Sequence, residues 1–380
     1  MTDCILHLGM GKTGSTSIQH SLNSSLTDPD FYYADLGHPN HSTILVNAFM
    51  ERPEQLHNNH KWGITREQIL SERPAYLQRM AEEIGRCGPR TLILSAEAAF
   101  NFTEPATKAL FAFFSSHACR VQLVSYLRPI RGWMESRFTQ TLSEPSPWVP
   151  VDRFAWATCR MTYGRFIKAK DDVFGRDRVS LWPFSPGTFP QGCVVQDFCQ
   201  RIGMKTMPGV IHRSNERLAL PAIRFLHAYR TFGPGYGVGP SAMPENANLL
   251  RHLKMLPGPR FHFHSELVDN YCRRNEANIT WIESRLGASL RDSVGHDKDG
   301  HAIRSESDLL AFSAESLEWL AERTGTAFRK LAHGDPSEVA AALHLLRRIP
   351  EPHPRIPSPI KDTIRARARA ILSSARGIFR

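Results

Sequence analysis

Residues 5–19, ILHLGMGKTGSTSIQ, decide the fold. They begin inside the apolar run CILHL (4–8), which predicts a short buried strand. They end inside STSIQHSLNSSL (15–26), where apolar side chains recur every four residues and predict one face of a helix: Ile18, Leu22 and Leu26. Between the two lies a glycine-rich turn. Because the N–H groups of such a turn and of a helix N-terminus attract anions, the stretch predicts a strand, an anion-binding loop and a helix.

Four further runs predict strands: FYYADLG (31–37), TLILS (91–95), VQLVSYL (121–127) and RVSLWPF (178–184). Helical patterns lie between them, and strands that alternate with helices favour a parallel sheet covered on both faces. From about residue 206 the pattern is mainly helical. We therefore expect an α/β protein with three parts: a core at 1–205, a helical part at 206–350 that completes it, and a tail at 351–380.

The composition is that of an ordinary globular protein, with 380 residues of which 41% are hydrophobic and 22% charged. No apolar run is long enough to cross a bilayer, and the N-terminus lacks the regions of a secretory signal. The seven cysteines are scattered without C-x-x-C spacing, which favours reduced thiols over disulfides or a zinc site. These features predict a cytoplasmic protein. The net charge of +10 predicts an anionic ligand or partner without identifying it.

The loop has three interpretations, of which the first is a dinucleotide-binding fold. Gly9, Gly11 and Gly14 form G-x-G-x-x-G between a strand and a helix. Asp35 follows about 20 residues later, where the ribose-binding acid of such a fold would lie. Lys12 argues against this interpretation, because a dinucleotide loop binds through its backbone N–H groups.

The second interpretation is the nucleoside-triphosphate loop G-x-x-x-x-G-K-[ST]. The triplet GKT at 11–13 matches its end, but its first glycine would then fall on Leu6. Counting from Gly9 instead places Ser15 where the lysine is required. Neither register fits, and a nucleotide-dependent kinase stays open as an alternative.

The third interpretation takes the loop as it stands, with Lys12 adding positive charge and three hydroxyls at the helix entrance. Such a loop suits a 5′-phosphate that carries a second acidic group, without a metal. HLGMGKTGSTSIQ (7–19) resembles the 5′-phosphosulfate loop of sulfotransferases that use 3′-phosphoadenosine 5′-phosphosulfate (PAPS), in their bacterial and carbohydrate-modifying branches. The resemblance implies a P-loop NTPase-like three-layer fold and PAPS as co-substrate. It assigns 5′-side binding to Gly9, Gly11, Lys12, Thr13, Gly14, Ser15 and Thr16.

PAPS also carries a 3′-phosphate, which the family binds with an Arg at a strand end and a Ser eight residues later. Arg128 directly follows the run at 121–127, and Ser136 lies eight residues further on. Arg128 would project from the carboxyl end of a strand, where ligands of open α/β sheets collect, and can hold a phosphate bidentately. Ser136 lies off the apolar stripe of the following helix. The third 3′-phosphate segment of many cytosolic members is not identifiable, and Arg213 is a candidate by position only.

The resemblance implies in-line transfer of a sulfuryl group from PAPS to an acceptor hydroxyl or amine. Lys12 is placed to stabilise the leaving phosphate. Glu97, which follows a predicted strand, is the first candidate for the base that activates the acceptor. His41 is the second, because an imidazole titrates closer to neutrality. Ser95, at the same strand end as Glu97, is expected to reach the donor sulfate or the acceptor.

The basic charge and the resemblance favour a carbohydrate, a glycolipid or another hydroxyl acceptor, with no nucleic acid partner. A non-catalytic module that binds a nucleotide or an acidic glycan stays open, but it would have no use for Glu97. The tail segment PIKDTIRARARAILSSARGIFR (359–380) places six Lys and Arg residues and one Asp around apolar residues at helical spacing. Such a basic amphipathic helix can make peripheral contact with an anionic membrane, while docking of its apolar face on the protein's own core and a disordered tail stay open as alternatives.

Overall fold

A computed structural model describes residues 2–117, 119–144, 163–212, 218–237, 242–291 and 301–350. At its centre lies a sheet of five parallel strands: β1 (Thr2–His7), β2 (Phe31–Tyr33), β3 (Thr91–Ser95), β4 (Cys119–Leu127) and β5 (Val179–Pro183). Their order across the sheet is β2-β3-β1-β4-β5. The expected α/β architecture with a central parallel sheet is confirmed.

Helices surround this sheet. The first seven described are α1 (Ser15–Ser25), α2 (Ser42–Phe49), α3 (His57–Trp62), α4 (Arg66–Cys87), α5 (Glu104–Ser116), α6 (Ile130–Ser143) and α7 (Tyr163–Phe174). After β5 come α8 (Val194–Arg201), α9 (Leu220–Phe232), α10 (Ala242–Lys254), α11 (Ser265–Arg274), α12 (Glu276–Leu286), α13 (Ala314–Thr324), α14 (Phe328–Leu331) and α15 (Pro336–Leu346). The described part of residues 206–350 is thus mainly helical, as its pattern predicts.

The strands send alternate side chains into two hydrophobic cores, one on each face of the sheet. On β1, Cys4 and Leu6 belong to the larger core and Ile5 to the smaller one. Helices α1 and α8 cover the smaller core, which includes Ile18 and Phe198. Helices α2, α4, α5, α6 and α7 contribute to the larger core, which gives three layers.

The larger core continues from the sheet into the C-terminal helices. It contains Phe114 of α5 and Phe138 of α6 together with Phe225 of α9 and Leu343 of α15. The C-terminal helices therefore share one core with the α/β part, while the boundaries at residues 205 and 350 stay predictions. The tail at 351–380 lies outside the described residues, as does Arg213.

The strand order determines where a ligand can bind. After β1 the chain moves toward β2 at one edge of the sheet, whereas after β4 it moves toward β5 at the other. Strands β1 and β4 are neighbours, so their connections diverge at their carboxyl ends. Open α/β sheets bind ligands in the crevice at such a point. The loop with Lys12 follows β1 and Arg128 follows β4, which places both segments beside this crevice.

Within the described ranges, no helix has both the length and the hydrophobicity that crossing a membrane requires. The segment for which membrane contact is predicted belongs to the tail, whose structure is not described.

Candidate functional site

The loop between β1 and α1 turns through two residues with left-handed backbone conformation, Lys12 at φ 68° and Gly14 at φ 78°. Thr13 between them is fully buried, and its hydroxyl donates to the Met10 carbonyl at 2.7 Å. A Cβ on Gly14 would lie 2.5 Å from Cγ1 of Val194, so only glycine fits there. Successive N–H groups around left-handed residues form concavities that bind anions. The local geometry therefore matches the anion-binding loop that the sequence predicts.

Two further glycines let neighbouring groups approach the backbone of the loop. A Cβ on Gly9 would lie 2.0 Å from Oγ of Ser15, and a Cβ on Gly11 would lie 3.1 Å from Oε1 of Glu97. Ser15 is the first residue of α1 and is 2% exposed. Its hydroxyl has no hydrogen-bond partner among the described residues. Because Gly9 has no side chain, Ser15 at the start of α1 can approach the loop backbone. Because Gly11 has no side chain, the Glu97 carboxylate can approach the loop as well.

The N-terminus of α1 faces the loop without a side-chain cap. Gly14 is the N-cap residue, and the first turn contains no acidic side chain. The first N–H groups of a helix lack intrahelical acceptors, so together with the helix dipole they favour an anion. The Thr13 hydroxyl is buried and donates to the Met10 carbonyl, the Ser15 hydroxyl is buried without a partner among the described residues, and Thr16 is exposed. Their role as donors to an anion stays a prediction.

Arg128 meets this loop from the neighbouring strand. Its Nη1 donates to the Lys12 carbonyl at 2.9 Å across 116 residues of sequence. Its guanidinium carbon lies 5.7 Å from the centre of the Phe184 ring. A Cβ on Gly132 would lie 2.8 Å from its Nε, so the absence of a side chain at Gly132 leaves room for the guanidinium. The structure thus joins the two predicted phosphate-binding segments.

The role of Gly132 was not predicted from the sequence, although Gly132 lies four residues after Arg128 and four residues before Ser136. Gly132 lies in the first turn of α6, and Ser136 follows one turn later on the same face. Since Arg128 packs against Gly132, its guanidinium and the partly exposed Ser136 lie on the same side of the helix. This arrangement suits a phosphate held by both.

Glu97 begins a 3₁₀ turn, Glu97–Asn101, directly after β3. Its carboxylate reaches the loop at Gly11. Burial raises the pKa of Glu97 above its ordinary value, the charge of Lys12 opposes this rise, and Glu144 adds to it. A carboxylate with a raised pKa is a better general base near neutral pH. The structure therefore places a candidate base within the field of Lys12.

His41 is 1% exposed and lies at the N-terminus of α2. Its Nδ1 accepts the backbone N–H of Ser95 at 3.1 Å, so the proton of the neutral ring is on Nε2 and no lone pair remains for a substrate proton. Burial lowers the pKa of His41 to about 4. This geometry favours Glu97 over His41 as the base. Ser95 is fully buried, with its hydroxyl against His7 and Gln19, so the expectation that it reaches donor or acceptor is wrong.

The strand order separates Asp35 from the loop. Because β3 lies between β2 and β1, Asp35 after β2 is displaced from the end of β1 by two strand spacings, about 10 Å. A dinucleotide-binding fold carries its ribose-binding acid on the strand next to β1. The backbone N–H of Asp35 donates to Glu83 at 2.6 Å, and its Oδ1 accepts from Gly37 N–H at 3.1 Å. The structure disfavours the dinucleotide interpretation.

Within the described part of the chain, no group of three or more His, Cys, Asp or Glu side chains is arranged to hold a metal ion. The expectation of nucleotide binding without a metal stays a prediction.

Comparisons with known proteins leave the family open. No protein-family model matches the chain, and no curated protein matches it. The tunicamycin resistance protein of Deinococcus radiodurans is a solved structure with 12% sequence identity and a TM-score of 0.32, which covers 55% of this chain and 99% of its own. A similarity this low carries no argument about fold or function.

Proposed function

We propose that this protein is a sulfotransferase that moves a sulfuryl group from PAPS to a hydroxyl or amine of a carbohydrate or glycolipid acceptor. The observation that carries the proposal is the hydrogen bond from Arg128 to the Lys12 carbonyl. It joins an anion-binding loop and a guanidinium at one edge of the sheet. A nucleotide with acidic groups on both the 5′ and 3′ sides of its ribose could bind the loop with its 5′ group and the guanidinium with its 3′ group.

The loop has the groups that a 5′-phosphosulfate requires. The uncapped N-terminus of α1 and the exposed Lys12 supply N–H donors and positive charge. The buried, unpartnered hydroxyl of Ser15 stands at the same helix start. On the 3′ side, Arg128 offers paired N–H groups and Ser136 a hydroxyl on the same helix face. The residues present fit PAPS as a substrate.

The proposed transfer divides the chemistry between two side chains. Glu97 takes the proton of the acceptor hydroxyl as the acceptor oxygen bonds to sulfur and the bond from sulfur to the bridging phosphate oxygen breaks. Lys12 donates to that oxygen, which gains negative charge on the leaving adenosine 3′,5′-bisphosphate. Fixed donors aimed at developing charge are the main catalytic device for such reactions, and removing one costs about 3–4 kcal/mol of barrier.

A nucleotide kinase is the second candidate, because the strand, the GKT triplet and the helix that follows serve phosphoryl transfer as well. The two candidates differ in donor and in metal requirement. A kinase needs Mg²⁺ to neutralise the triphosphate, whereas the proposed sulfotransferase relies on Lys12 and the helix N-terminus.

The test is a transfer assay on the full chain with PAPS or Mg²⁺-ATP as donor and a panel of carbohydrates, amino sugars and glycolipids. Mass spectrometry of the acceptors distinguishes the two transferred groups by accurate mass and fragmentation. We expect sulfated product from PAPS in the presence of EDTA, with release of adenosine 3′,5′-bisphosphate. Phosphorylated product from Mg²⁺-ATP and none from PAPS would establish the kinase, and no transfer from either donor would favour a binding module.

A further inference from the structure

A polar cluster lies buried beneath the candidate site, at the carboxyl ends of β1 and β3. The hydroxyl of Ser95 is 2.8 Å from Nδ1 of His7 and accepts from Nε2 of Gln19 at 3.1 Å. The backbone of Ser95 exchanges two hydrogen bonds with His41, through its N–H at 3.1 Å and its carbonyl at 2.9 Å. The four residues are at most 1% exposed. Ser95 is therefore the centre of a polar network that excludes solvent.

This network joins the segments that carry the two proposed catalytic groups. His7 ends β1, two residues before Gly9 of the loop, and Gln19 belongs to the helix that leaves the loop. Ser95 ends β3, two residues before Glu97. The backbone N–H of residue 96 donates to the His7 carbonyl at 2.9 Å, which ties the same two strand ends together. The Ser95 side chain thus lies between the segment that carries Lys12 and the segment that carries Glu97.

The cluster is surrounded by hydrophobic core residues. Apolar side chains at these positions would need no hydrogen-bond partners. Ile5, Ile93 and Phe198 belong to the same core, and the His7 ring centre lies 5.0 Å from that of Phe198. Within the cluster, Ser95, Gln19 and the Nδ1 atoms of His7 and His41 are hydrogen-bonded, whereas Nε2 of each histidine has no partner among the described residues. Hydrogen bonds buried in an apolar surrounding hold their groups in one geometry, and removing one member leaves its partner unpaired. The Ser95 hydroxyl oxygen accepts from Gln19 and is also hydrogen-bonded to Nδ1 of His7, so two partners hold its side chain in place.

We propose that Ser95, held by His7 and Gln19, is a positioning residue that sets the Glu97 carboxylate against Gly11 and the field of Lys12. The catalytic role of this positioning rests on the proposed function, but the effect of Ser95 on Glu97 can be measured without a transfer assay. Ser95 touches neither donor nor acceptor and acts through Glu97.

The direct readout is the titration of Glu97, monitored by NMR in full-length protein labelled with ¹³C at the glutamate carboxyl groups. The Glu97→Gln variant assigns the Glu97 resonance. The variants are Ser95→Ala and, because this change can weaken the fold, Gln19→Leu, which leaves Ser95 and His7 in place. Ser316→Ala is the matched control, because it also removes a buried hydroxyl whose partner, the Ser313 carbonyl, lies beside α13 away from the site.

We expect the raised Glu97 pKa to fall toward its ordinary value in Ser95→Ala and Gln19→Leu, and to stay unchanged in Ser316→Ala. Transfer from PAPS should fall about tenfold or more in the first two variants, with adenosine 3′,5′-bisphosphate affinity changed less than about threefold. An unchanged Glu97 titration in both variants would overturn the inference even if transfer falls. A shifted titration in a chain with no PAPS transfer would support the positioning role and reject only the proposed function.

Discussion

Replacing Lys12 with glycine should preserve or increase the stability of the fold while it removes the proposed transfer activity. Lys12 has φ 68°, a conformation that costs an L-residue about 1–2 kcal/mol relative to its ordinary one. Glycine adopts it freely but loses about 0.5–1 kcal/mol more backbone entropy on folding. The difference predicts a gain in unfolding free energy of about 0–1.5 kcal/mol for Lys12→Gly.

Lys12→Ala separates the backbone effect from the side-chain effect. Alanine keeps the left-handed strain, so we expect a stability close to that of the wild type and below that of Lys12→Gly. Both variants lose the same ammonium group, and transfer from PAPS should fall by about a hundredfold or more in each. Lys108→Ala is the matched control, because Lys108 is an exposed lysine that pairs with Glu104 on α5 and should change neither quantity much.

The assays are urea denaturation for stability and initial rates of adenosine 3′,5′-bisphosphate release for activity. A Lys12→Gly protein clearly less stable than Lys12→Ala would refute the argument from backbone strain. Full activity in either variant would refute the role of Lys12 in stabilising the leaving group.

Three further changes test other parts of the account. Gly9→Ala should cost about 1–3 kcal/mol of unfolding free energy, because its Cβ would lie 2.0 Å from Oγ of Ser15. Adding Ser15→Ala should recover most of that loss, and denaturation midpoints that show no recovery would contradict the close approach of these two groups. Burial lowers the pKa of Lys170 from 10.5 to about 7, so the unfolded chain binds the extra proton between these values and unfolding free energy should rise with pH there, by at most about 1.4 kcal/mol per unit. Lys170→Met should flatten this rise, and an unchanged slope in denaturation curves from pH 7 to 10 would contradict it. Glu97→Gln should lower PAPS transfer about a hundredfold or more without weakening adenosine 3′,5′-bisphosphate binding, whereas retained transfer would reject Glu97 as the base.

The sequence correctly predicted those elements whose pattern lies within one short segment of the chain. The apolar run of β1, the glycine turn and the four-residue apolar spacing of α1 lie within one short segment, and the structure has them in that order. The family resemblance pointed to Arg128, and the apolar run that it directly follows correctly predicted its place at the end of β4. A motif of this kind predicts which strand end a residue occupies.

Burial and long-range contacts could not be predicted in the same way. The solvent exposure of Ser95 and His41 depends on how α2 packs beside the end of β3, which no local pattern encodes. The bond from Arg128 to the Lys12 carbonyl depends on the pairing of β1 with β4. The sequence thus predicted the site residues by strand end, whereas the packing showed which of their side chains face the site.

The two-sided recognition of the nucleotide is the most direct test of the central claim. The measurement compares adenosine 3′,5′-bisphosphate with adenosine 5′-phosphate by calorimetry in EDTA, for the wild type, Arg128→Ala and Arg128→Lys. A charge-assisted phosphate contact contributes about 1.5–3 kcal/mol, so the wild type should prefer the bisphosphate by about 10- to 100-fold. Arg128→Ala should lose this preference and Arg128→Lys should keep part of it. Equal binding of both nucleotides by the wild type, or equal losses for both in Arg128→Ala, would contradict the account.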